Sequence, residues 1–230
     1  MSQQMKATRG IAAQNGEWQR SKSGWPAITG LLLLSALPVV GGVLRLRDVG
    51  AVPESALPLA SSVAIVAHIV ATSVYCLLGA FQFSPALRVR RGWHRTAGRV
   101  LIPAGFVAGL SAVWLAVFFG GPSDERALAM VRLVFAVAMT LSLVLGALAI
   151  KRRDFNAHGA LMTRAFAIAV SGGTQALVVV LWALPFGEAD VVAETWLVAA
   201  GFVTNSVVAE LLIRRQSSRR TPGVSGRGAL

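Results

Sequence analysis

Six long apolar runs dominate the chain, at 25–44, 57–83, 100–119, 127–150, 165–186 and 192–213, with short polar connections between them. Each run holds about 20 residues or more, enough to cross ~30 Å of hydrocarbon as an α-helix. Barrel strands would read instead as short alternating segments. The pattern therefore predicts an all-α fold: a polytopic membrane protein built as a bundle of six transmembrane helices over 25–213. Residues 1–24 are polar and basic and read as a disordered arm, and 214–230 are rich in Ser, Arg and Gly and read as a disordered tail. The first run follows a basic flank and contains Leu31 to Leu34, as a signal peptide would. No A-x-A cleavage site follows it, so it is expected to stay as a signal-anchor helix.

Composition agrees. The chain of 230 residues is 55% apolar and 14% charged, whereas soluble domains carry about 25% charged residues. Its mean hydropathy is +0.64 and its pI about 11.7. The charges alternate between connections. Of the 22 Lys and Arg, eighteen lie in four segments: Lys6, Arg9, Arg20 and Lys22; Arg88, Arg90, Arg91, Arg95 and Arg99; Lys151, Arg152, Arg153 and Arg164; Arg214, Arg215, Arg219, Arg220 and Arg227. The other connections hold Arg45, Arg47 and Arg126 against Asp48, Glu54, Asp124, Glu125, Glu188, Asp190 and Glu194, and Arg132 lies inside the fourth run. Basic connections stay on the cytoplasmic side, so both termini are expected there. Bases placed at membrane edges, rather than on one face, argue against nucleic acid and for anionic lipid headgroups as partners. The single cysteine, Cys76, excludes an internal disulfide and a thiolate metal cluster and reads as a small buried hydrophobe.

Candidate chemistry begins with polar groups inside the apolar runs, because hydrocarbon penalises them unless they are paired. Helical steps along the second run pass through Ser61, Ala64, His68, Thr72, Tyr75, Gly79 and Gln82. This stripe serves either as packing between helices or as a cavity wall with His68 as a ligand or proton carrier. Gln175, beside Gly172 and Gly173, and Asn205 fall at a similar depth. Arg132 either snorkels outwards or holds an anionic group. Glu210 and Arg214, four residues apart, are expected to form a local ion pair. A binder or carrier of a small amphipathic or lipid-like molecule would use His68, Thr72, Tyr75, Arg132 and Gln175.

The two inner connections carry a second constellation. One reads Arg90-Arg91-Gly92-Trp93-His94-Arg95 and continues to Arg99. The other reads Arg152-Arg153-Asp154-Phe155-Asn156-Ala157-His158 and continues to Arg164. Each has an Arg pair, an aromatic two residues on, a histidine, and an arginine at the next apolar run. The match hints that the second and third helices correspond to the fourth and fifth. His94 and His158 each precede a helix that starts at the inner face. They are thus placed to hold a single b-type haem between them, with Arg95, Arg99 and Arg164 available for its propionates. Three histidines cannot supply two bis-His haems. The third reading leaves the loops as headgroup contacts alone. No P-loop, dinucleotide fingerprint, H-E-x-x-H or G-x-S-x-G occurs. If the chain is an enzyme at all, a membrane oxidoreductase is the class left.

His68-Ile69, Gly79 to Phe83, His94 to Arg99, Arg152 to Phe155, His158 and Met162 to Arg164 together resemble the bacterial predicted-membrane-protein family called domain of unknown function 2306. The likeness covers about residues 60–185. It departs at Gly159 and Leu161, where the family pattern has Arg and Trp. It implies a multi-helix fold in a bacterial plasma membrane and carries no activity.

Overall fold

The structure, a computed structural model, describes residues 25–51, 59–83, 91–119 and 125–220. Six helices fill almost all of that length: α1 (Trp25–Ala51), α2 (Leu59–Gln82), α3 (Arg91–Phe118), α4 (Arg126–Lys151), α5 (Phe155–Phe186) and α6 (Val191–Arg220). No strand occurs among the described residues. All six helices are long and apolar enough to span a membrane. A helix closes its backbone hydrogen bonds within itself, which lipid requires of any single spanning segment. The chain is an all-helical membrane protein.

Helices outrun the apolar stretches at their basic ends. α3 starts at Arg91 rather than near residue 100, and α5 at Phe155 rather than 165. α6 runs on to Arg220, past the apolar limit at 213. The apolar runs mark only the hydrocarbon-embedded part. Arginine is a good helix former whose stem lies along the helix while its head stays wet, so the helix continues into the interface. The basic arm, the tail beyond 220, and Arg88 and Arg90 lie outside the described residues.

The chain divides into two compact units, Met1–Leu115 and Ala116–Leu230. In the first, α1 packs along α2, and Ile69 Cγ2 stands 2.7 Å from where a Cβ on Gly42 would be. Its buried side chains include Ile28, Ser35, Tyr75 and Cys76, the last only 1% exposed. In the second, α5 packs against both α4 and α6. Leu143, Ala165 and Ser171 are fully buried there, and Phe135 of α4 stacks on Phe202 of α6 with centroids 4.2 Å apart. Small residues allow this close approach: a Cβ on Gly201 would lie 3.2 Å from the backbone nitrogen of Gln175.

Candidate functional site

Three residues join α4 to α5, and their geometry sets His158. The Asp154 N–H donates to Ala149 O and the Arg153 N–H to Ile150 O, both at 2.9 Å. Arg153 takes φ +58°. This is the Schellman ending, in which one left-handed residue lets the last carbonyls find donors. Asp154 then caps the next helix, its Oδ1 accepting from Ala157 N at 2.9 Å. The reversal is so tight that His158, the fourth residue of α5, reaches back to α4. Its Nδ1 lies 2.9 Å from the Gly146 carbonyl oxygen. Gly146 is buried against Met162, so the helices touch where the imidazole bonds.

His94 repeats the arrangement. It is the fourth residue of α3, and its Nδ1 lies 2.5 Å from Oε1 of Gln82, the last residue of α2. Both histidines thus bond an oxygen twelve residues earlier, on the preceding helix. The acceptor is a side-chain amide in one case and a backbone carbonyl in the other. The chain divides near residue 115, between the α2–α3 hairpin and the α4–α5 hairpin. Two hairpins with a histidine at the same helical position and the same reach strengthen the hint of duplication.

The third histidine behaves alike in one respect. His68 Nδ1 lies 3.0 Å from the Ala108 carbonyl and 3.2 Å from Ser111 Oγ, both on α3. A carbonyl oxygen only accepts, so in all three histidines the proton belongs on Nδ1. The lone pair of the neutral ring is then on Nε2, the nitrogen most often offered to a metal or proton. Around His68 the stripe faces inward: Ser61 and Tyr75 are buried, and Thr72 is half-buried. The Thr72 hydroxyl, one turn from His68, is shielded and has no hydrogen-bond partner among the described residues.

The arginines separate into two groups. Arg95 and Arg99 are exposed and form no ion pair among the described residues. Arg164 is instead committed to Glu210 of α6, through Nε–Oε1 at 2.5 Å and Nη2–Oε2 at 3.1 Å. The expected local pair of Glu210 with Arg214 gives way to this one. Packing of α6 on α5 brings Glu210 to Arg164, and the guanidinium fork matches a carboxylate with two bonds. Arg132 meets a carboxylate too, Glu194 at 3.3 Å. Gln175 donates to Ser171 Oγ at 3.2 Å, and Thr174 to Asn205 Oδ1 at 3.1 Å. These mid-depth polar groups sit in the α5–α6 contact. Among the described residues, no three His, Cys, Asp or Glu side chains gather as metal ligands.

What these observations define is a polytopic helical membrane protein with histidines held on hairpins. The family model described as Predicted membrane protein (DUF2306) matches residues 65–213, and the chain belongs to that family. The match begins inside α2 and, unlike the motif likeness, takes in α6. Neither a curated protein nor a solved structure matches the chain.

Proposed function

We propose that this protein lies in the bacterial plasma membrane with both termini in the cytoplasm, and that its function centres on His94 and His158 at the inner face. The charge alternation supports that orientation, and six spans put both hairpin turns on one side. The observation that carries the site is the repeated bond. Each histidine directs Nδ1–H onto a protein oxygen twelve residues back, which fixes the ring and its tautomer as partners of ligating histidines do. A b-type haem suits such a ring, which would ligate it through Nε2, and the haem would supply a one-electron centre. Exposed Arg95 and Arg99 suit its propionates, while Arg164 keeps Glu210. His68, bonded to α3, holds the first unit together in this reading.

The full chain, purified in detergent and supplied with haemin, tests the proposal by absorption spectroscopy. A Soret band that shifts with dithionite is expected, weakened or lost in His94→Ala or His158→Ala and kept in His68→Ala. A spectrum without that band, or one that neither replacement alters, sinks the haem reading.

A further inference from the structure

A cavity of about 630 Å³ opens between the end of α3 and the start of α4, lined by Ala116, Val117, Phe118, Phe119, Arg126, Ala129, Met130 and Leu133. Its size falls within the roughly 300–1,000 Å³ of ligand pockets. The lining is graded. Arg126 is the first residue of α4 and stands at the mouth with Phe118 and Phe119, at the interface end of both helices. Ala129, Met130 and Leu133 follow one to two turns further along α4, and Ala116 and Val117 lie in the last turn of α3. Met130 is 59% and Val117 52% exposed, far more than core side chains.

Among the described residues, the one charge in the lining is positive. Arg132 and Arg164 each meet a carboxylate, but Arg126 is exposed and forms no ion pair among the described residues. The first turn of α4 holds no acidic side chain, and its N-cap, Glu125, makes no capping bond. The amide dipoles of that turn add to the positive potential at the mouth. Among the described residues no carboxylate is in the lining: Glu125, the preceding residue, is outside it, and Glu194 is taken by Arg132. A cation at the interface above an apolar trough running along the bilayer depth matches one molecule class by charge and polarity order.

We infer that this groove holds an anionic phospholipid from the adjoining leaflet, its phosphate on Arg126 and one acyl chain against Met130, Leu133 and Val117. The site is separate from the histidine hairpins and independent of any haem. Native mass spectrometry of the full chain tests it, after delipidation and exposure to phosphatidylglycerol or phosphatidylcholine. One retained phosphatidylglycerol per chain is expected, with phosphatidylcholine retained far less. Arg126→Gln should weaken retention about fivefold, the effect of one interfacial cation. Met130→Trp, which fills the trough, should abolish it while the melting temperature stays near that of the parent. Equal retention of both lipids overturns the inference. So does unchanged retention in Arg126→Gln, or an oleate that displaces phosphatidylglycerol and is held by both variants.

Discussion

At the scale of single residues, the hairpin that carries His158 depends on one strained position. Arg153 sits at φ +58°, where a Cβ crowds the following carbonyl and costs about 1–2 kcal/mol. Glycine adopts that conformation without the clash but loses more entropy on folding. Arg153→Gly should therefore stabilise the protein by about 0.5–1 kcal/mol net, seen as a raised thermal midpoint in detergent. The His158–Gly146 bond should survive, because the Schellman bonds are made by backbone atoms. A midpoint that falls would mean that the arginine side chain itself holds the turn. No pattern in the sequence marks Arg153 as left-handed, since that position is normally announced by Gly or Asn.

At the scale of elements, hydropathy settles where the helices are and pairwise chemistry settles how they meet. The apolar runs foretell all six helices, because spanning length and backbone satisfaction leave few alternatives. They do not foretell that α3 and α5 begin nine or ten residues earlier, since helix continues where hydropathy stops. The histidine positions are legible, but their partners are not. Gln82 stands out only as the end of a polar stripe, and a backbone carbonyl such as that of Gly146 leaves no trace in sequence. Glu210 shows the same limit: spacing favours Arg214, whereas packing of α6 on α5 delivers Arg164. A double-mutant cycle decides between them. Arg164→Gln and Glu210→Gln should couple by about 1 kcal/mol, for a pair whose side chains are 40% and 39% exposed. Arg214→Gln with Glu210→Gln should couple by nearly nothing. The reverse ranking in unfolding measurements would reinstate the local pair.

At the scale of the whole molecule, the charge alternation and the six helices make one joint prediction, that every second connection faces the cytoplasm. It is open to direct attack, because Cys76 is the only cysteine and is 1% exposed. Cys76→Ala should give a silent background, and single cysteines can then replace Arg152 in the α4–α5 turn or Glu188 in the α5–α6 turn. A membrane-impermeant maleimide added to spheroplasts should label the Glu188→Cys protein at once and the Arg152→Cys protein only after lysis. The two turns bracket α5, a single spanning helix, so opposite labelling is demanded by any spanning arrangement, and which turn labels first gives the sign. Prompt labelling at 152 would invert the orientation and move both histidine hairpins to the outer face. Labelling at both before lysis would mean that α5 does not cross. The same experiment also bears on the lipid groove. Arg126 lies at the opposite end of α4 from the Arg152 turn, so the leaflet supplying its phospholipid is the one facing the maleimide when 188 labels first.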